Sequence, residues 1–344
     1  FARRRMVAFP IVAIAELLVA FIGFGVWAHH MFATGLATAT LVIFAAASMM
    51  VVVPSTIQVY AWLMTVTTGR PEFRAPLLFI GGFITFFVLG GLSGIMFAAI
   101  PFDQATTDTY FVVAHFHFII FGAAVFPILG GIYYWLPKVT GRMYHEGWAV
   151  ASFWLTFVGT SLTFFPMHIV GLLGMSRRIY TYDSGLGWDA YNLSETIGAF
   201  ILAAGLVAFF ANVFVSARRG APAGRDPWYG GTLEWTIPSP PPEYNFAVIP
   251  TVRSPYPNWD PPEPSDLVLS RGHETIASTV IDGQPDEVVR MPSESPWPVT
   301  LALVTAVFFA MLLTSHWIAA GIFAIVALLV LAAWHAHEPE PEVV

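Results

Sequence analysis

The chain has no cysteine. Disulfides, thiolate-held clusters and cysteine nucleophiles are therefore excluded within it, and any bound metal must use His, Asp, Glu or Met. Charge is scarce too: 11% of the 344 residues are Asp, Glu, Lys or Arg, against about 25% in ordinary soluble domains. Lysine occurs only at Lys138. No basic patch with interleaved aromatics is present, so no nucleic-acid partner is indicated. What fills the chain is apolar: 56% of residues are hydrophobic, 15% aromatic, and the mean hydropathy is +0.68. This is the composition of an integral membrane protein. The formal net charge of −7 says little about partners, because much of the acid lies in the polar stretch 217–296 and in the tail EPEPEVV. The opening FARRRMVAFP has neither an initiator Met nor the pattern of a cleaved signal. We expect an N-terminally truncated fragment.

A spanning helix needs about 20 apolar residues. Eight candidates follow, at about 7–28, 36–66, 76–100, 110–136, 147–173, 194–216, 297–314 and 317–334. The second is long and is expected to kink at Pro54. The fold class is therefore all-α, a polytopic transmembrane helical bundle. Three regions are expected: a transmembrane core over 1–216, a Pro-rich polar segment over 217–296, and a transmembrane hairpin with an acidic tail over 297–344. Pro-rich runs such as TIPSPPPEYNF and SPYPNWDPPEPSD suit extended or polyproline conformations.

Basic residues in short loops set orientation. Arg3, Arg4, Arg5, Arg70, Arg74, Lys138, Arg142, Arg218, Arg219 and Arg225 fall on one side, which is therefore expected to be cytoplasmic, with 217–296 on it. The other side carries only Arg177 and Arg178. His29 and His30 end the first span on that outer side. His115 and His117 lie near the outer end of the fourth. Histidines inside a bilayer are costly and mark functional sites. At about 100° per residue, His115 and His117 diverge by roughly 200° and cannot comfortably share one metal, whereas His29 and His30 are only about 100° apart. Imidazole suits copper, iron and zinc. Arginine forks suit carboxylates such as haem propionates.

WAHHMF, TDTYFVVAHFHF, LTFFPMHIVGLLGMSRRIYTY and TLEWTIPSPPPEYNF resemble subunit I of the cytochrome c oxidases, in the haem–copper oxidase superfamily, over roughly residues 5–250. The resemblance implies that His29 and His30 bind the active-site copper, copper B. It implies that His115 is the axial ligand of the high-spin haem where oxygen is reduced, and His117 one axial ligand of the low-spin haem. Arg177 and Arg178 would bind haem propionates, with Asp103 at the same edge. Asp108 would join a magnesium site. The haems would be of the haem A type. The implied partners are subunit II with a dinuclear copper centre, subunit III, cytochrome c, dioxygen and the bilayer of a bacterial plasma membrane. The third copper ligand, a cross-linked tyrosine and the second low-spin haem ligand would lie upstream. Residues 297–334 resemble the start of a fused subunit III.

The sequence also departs from the pattern. Thr107 stands where a histidine usually precedes the magnesium Asp, which puts that site in doubt. Gln58 stands where many members have a proton-path lysine. Glu16, Ser55 and Gln58 are expected to form a variant proton route, with Thr56 able to hold water. Each residue also has a plain structural reading. A transmembrane His such as His168 can be satisfied by a carbonyl. Arg177 and Arg178 can anchor at headgroups, Asp108 can cap a helix, and Glu16 and Gln58 can be packing groups. The expected activity is reduction of dioxygen to water with electrons from cytochrome c, coupled to proton translocation. A quinol-fed oxidase, a nitric oxide reductase-like enzyme and a non-redox transporter are the alternatives.

Overall fold

A computed structural model describes residues 1–242, 245–246, 250, 252–260, 274–279, 285–290 and 295–337. Among these, seven helical segments are long and apolar enough to cross a membrane: Phe9–Met31, Thr38–Thr67, Ala75–Ala98, Tyr110–Thr140, Glu146–Leu172, Asp189–Arg219 and Trp317–Ala336. The expected eighth, Trp297–Leu313, has 17 residues. At 1.5 Å per residue it is shorter than the roughly 30 Å hydrocarbon layer.

The helices are α1 (Phe9–Gly25), α2 (Thr38–Met50), α3 (Val52–Thr67), α4 (Ala75–Ala98), α5 (Ile100–Thr106), α6 (Tyr110–Ile120), α7 (Phe126–Thr140), α8 (Glu146–Leu172), α9 (Asp189–Arg219), α10 (Trp297–Leu313) and α11 (Trp317–His337). A 3-10 turn, Trp27–Met31, follows α1, and a π turn, Phe121–Val125, joins α6 to α7. The second span breaks at Val51, between α2 and α3, rather than at Pro54. Proline lacks an N–H and its ring clashes with the carbonyl one turn back, so the discontinuity lies N-terminal to the proline.

Local chemistry sets several ends. Thr109 caps α6 by accepting from the Phe111 N–H at 3.2 Å. His145 caps α8 by accepting from the Trp148 N–H at 3.3 Å. Gly141 ends α7 at φ 70°, a conformation that favours glycine.

Two compact units are present. The first comprises Phe1–Gly230 and Glu234–Pro240. Within it, Lys138 of α7 reaches the segment that follows α9. The Lys138 ammonium donates to the carbonyls of Arg225 at 2.9 Å, Ile237 at 2.7 Å and Pro238 at 3.2 Å, and lies 5.1 Å from the Trp235 ring. Phe79, Phe86, Phe126, Tyr133, Phe153 and Phe209 anchor the core. Against it, α8 and α9 pack closely. Buried Glu195, Gly198, Leu202, Gly205, Phe209, Asn212 and Ser216 recur at alternating steps of three and four along α9, as in a coiled-coil seam. A Cβ at Gly198 or Gly205 would come 2.5–2.7 Å from Thr163 or Thr156 on α8. Small residues give membrane helices this approach.

The second unit comprises Gly231–Leu233 and Pro241–Val344. Within it, α10 packs on α11. Among the described residues there is also one sheet, an antiparallel ribbon of β1 (Glu274–Ser278) with β2 (Pro285–Arg290). Thr275, Ile276, Val288 and Val289, β-branched residues that favour strands, are paired there. The acidic tail 338–344 lies outside the described residues.

Candidate metal centre

His29 and His30 sit on the 3-10 turn. Their Nε2 atoms are 3.2 Å apart, and their ring centroids 4.4 Å. His29 Nδ1 lies 2.9 Å from Ser48 Oγ on α2. Ser48 spends its own proton on the Phe44 carbonyl at 2.6 Å. The hydroxyl must therefore accept from His29, which puts the imidazole proton on Nδ1 and leaves the Nε2 lone pair directed at His30. Two nitrogens each about 2.0 Å from one ion and 3.2 Å apart subtend about 105°. Two imidazole nitrogens at that spacing fit copper. Among the described residues, no group of three or more His, Asp or Glu is placed to hold an ion.

His115 and His117 leave α6 on different sides. His115 packs towards α4: its Nδ1 is 3.1 Å from the Gly90 carbonyl and 2.9 Å from Ser93 Oγ. Ser93 donates to the same Gly90 carbonyl at 2.9 Å. The ring lies 5.2 Å from that of Phe97. Gly94 faces it, and a Cβ there would stand 3.1 Å from His115 Cε1. His117 turns towards α8, where it stacks on Phe164 with centroids 4.2 Å apart and planes 8° apart. Its Nδ1 is 2.8 Å from the Val113 carbonyl one turn back. In both, a carbonyl acceptor holds the proton on Nδ1, so Nε2 carries the lone pair. That is the tautomer an axial haem ligand needs, with the supporting bond that orients it. The donor set fits two haem irons, one on each side of α6. His168 on α8 bonds the Phe165 carbonyl through Nδ1 at 3.3 Å and meets Phe111 and Phe118 edge-on.

The outer edge is built by two short segments. The Arg177 N–H donates to the Asp108 carbonyl, and the Tyr110 N–H to that of Met175, each at 2.9 Å. Arg177 Nε donates to Asp108 Oδ1 at 2.7 Å, and Arg178 lies 3.7 Å from the same oxygen. Asp108 and Arg178 hold left-handed backbones, φ 59° and 67°, which cost energy in non-glycine residues and cluster at functional sites. Asp108 thus pairs with arginine, and the helix cap is Thr109 beside it. Arg177 is half-buried and Arg178 exposed. Asp103 lies in the first turn of α5, and burial pushes its carboxyl up to about 6.

The expected proton-route residues do not converge. Gln58 is buried on α3 with no partner for Nε2. Ser55, one turn away, is half-buried and Thr56 exposed. Glu16 is exposed on α1, because Val12 and Ala15 take the buried face. Ser48, Ser93 and Phe164, which orient the histidines, carried no sequence signal beyond isolated hydroxyls and one more Phe in an apolar run.

Residues 1–201 match the family model described as cytochrome C and quinol oxidase polypeptide I. The chain is 42% identical over 303 residues to cytochrome c oxidase subunit 1 of Bacillus subtilis, covering 88% of this chain and 47% of that protein. It is 40% identical over 283 residues to cytochrome c oxidase subunit 1 of Synechocystis, covering 82% and 50%. The chain spans about half the length of the curated relatives it matches. A heme-copper terminal oxidase dimer solved by cryo-electron microscopy shares the fold, with TM-score 0.57 and 21% identity over 61% of this chain and 42% of that one. The helical segments, the histidine-bearing turns and these matches agree: the chain is an integral membrane protein of the cytochrome c and quinol oxidase polypeptide I family.

Proposed function

We propose that this chain carries the oxygen-reducing centre of a proton-translocating terminal oxidase that takes electrons from cytochrome c. The observation that supports this is the His29–His30 nitrogen pair, 3.2 Å apart, together with two α6 histidines whose Nδ1 atoms are each held by a backbone carbonyl. In this reading His29 and His30 hold copper B, and His115 and His117 hold the high-spin and low-spin haems. When bound, these groups would relay the donor's electrons and provide the metals at which oxygen is reduced.

The residues of the chain itself orient and insulate. Ser48 and the Gly90 carbonyl fix the ligand tautomers. Phe97 beside His115 and Phe164 stacked on His117 exclude stray water around the ligand rings. Arg178 offers an exposed guanidinium to propionates, while Arg177 remains tied to Asp108. The Asp108 carboxylate, already held by Arg177 and preceded by Thr107, is a weaker candidate for magnesium. Haem A type, partner subunits II and III, the dinuclear copper donor, a bacterial plasma membrane and a cytoplasmic 217–296 segment belong to the same proposal. So does the division into regions 1–216, 217–296 and 297–344.

The test is a carbon monoxide difference spectrum on membranes containing the assembled complex. A haem–CO signal present in the parent and lost in His115→Ala supports the assignment. No signal in the parent overturns it.

A further inference from the structure

Among the described residues, Glu195 is the only acid buried inside the helical bundle. It is 6% exposed, and its Oε1 has no hydrogen-bond partner. It occupies the α9 seam one step before Gly198, whose close partner is Thr163 of α8. Among the described residues, Glu195 makes no ion pair. Tyr110 at the start of α6 and Tyr182 in the loop before α9 lie within electrostatic reach of it. The α8 side presents threonine hydroxyls, which do not titrate in water. An ionised carboxylate with neither cation nor full hydrogen bonding is strongly disfavoured in such a place, and taking up a proton removes the penalty.

A way out is short. Glu195 lies six residues after Asp189, the first residue of α9, or about 9 Å along the axis. Asp189 is exposed and lies within electrostatic reach of Tyr182. Tyr110 and Tyr182 therefore bring two hydroxyl groups into the neighbourhood of a buried acid, and the Tyr110 backbone bonds the segment that carries Arg177 and Arg178.

We propose that Glu195 is a proton-storing acid that exchanges with the surface past Tyr110, Tyr182 and Asp189. In uptake, a proton moves from surface water to the Glu195 carboxylate, relayed across the Tyr182 hydroxyl, which gives one proton and receives another. Release reverses this, and no electron moves. The site goes beyond the metal-centre reading and does not depend on it.

The experiment is infrared spectroscopy of the complete protein reconstituted in lipid at neutral pH, as the parent, Glu195→Gln, Glu195→Asp and Tyr182→Phe. The parent is expected to show the carbonyl stretch of a protonated carboxyl that moves in D2O. The band disappears in Glu195→Gln, persists at a shifted frequency in Glu195→Asp, and exchanges severalfold more slowly in Tyr182→Phe. Identical spectra for the parent and Glu195→Gln overturn the storage site, and unchanged exchange in Tyr182→Phe overturns the relay. If Glu195→Gln does not assemble, the parent decides, since an apolar carbodiimide attacks protonated carboxyls. An adduct mapped to Glu195 supports the proposal, and an unmodified Glu195 overturns it. Haem content is read separately, so failure of the oxidase assignment would leave this result distinguishable.

Discussion

Ser48 Oγ stands 2.9 Å from His29 Nδ1 while donating its own proton to the Phe44 carbonyl. One hydroxyl on α2 thereby decides which nitrogen of His29 is free. Ser48→Ala removes the acceptor and lets the ring rotate and change tautomer. Loss of such a supporting bond weakens metal binding by about 10–100-fold. Copper retained after dialysis against a graded chelator should fall by about tenfold or more, with haem content unchanged. Equal copper retention would remove Ser48 from this role.

Gly94 gives a way to separate the two α6 histidines. Its absent side chain leaves space 3.1 Å from His115 Cε1, and His117 lies on the other side of the helix. Gly94→Val should displace His115 and abolish the CO-binding haem signal while leaving the low-spin spectrum. Optical spectra of reduced and reduced-plus-CO membranes check it. Loss of both signals together would mean that the substitution disrupts α4 itself.

Asp103 predicts a pH dependence. Burial raises its folded value to about 6, from 3.8. The folded state therefore binds the proton more tightly than the unfolded state does. The contribution to stability is fully present below the unfolded value and is lost as pH rises through about 6. Thermal midpoints measured between pH 4 and 7 should decline with rising pH in the parent, and this part of the slope should vanish in Asp103→Asn. An unchanged slope would refute the assignment.

Gln58 has a different signature. A buried donor without a partner costs about 1–3 kcal/mol. Gln58→Met, similar in volume, should raise the unfolding midpoint by an amount equivalent to about 1 kcal/mol. If Gln58 also carries protons, proton uptake by vesicles containing the variant should slow. Stabilisation with unchanged uptake would leave Gln58 as a packing group.

The spans were legible because length and hydropathy are properties of the chain alone. The opposed directions of His115 and His117 followed from helical geometry and match the contacts with Gly90 and Phe164. The break at Val51 was misplaced because the effect of Pro54 falls one turn upstream. Glu16 was expected beside Gln58, but neighbouring helices do not ensure facing side chains: one residue of rotation puts Ala15, not Glu16, against the interior. Ser48 and Ser93 were invisible because a single hydroxyl in an apolar helix has no periodic signature. Their roles arise only when the helices meet. The pairing of Arg177 with Asp108 is not legible in the sequence, because it depends on an irregular turn with left-handed residues at Asp108 and Arg178.

Lys138 is 4% exposed, and three carbonyls surround its ammonium. It is the only lysine of the chain. Amine-directed dyes and cross-linkers will therefore find no accessible lysine within residues 1–344 of the folded chain, and a lysine-specific protease will find no site there until the bundle opens. Modification of the Lys138 side chain, followed as one labelled peptide in a mass spectrum, is a direct reporter of unfolding.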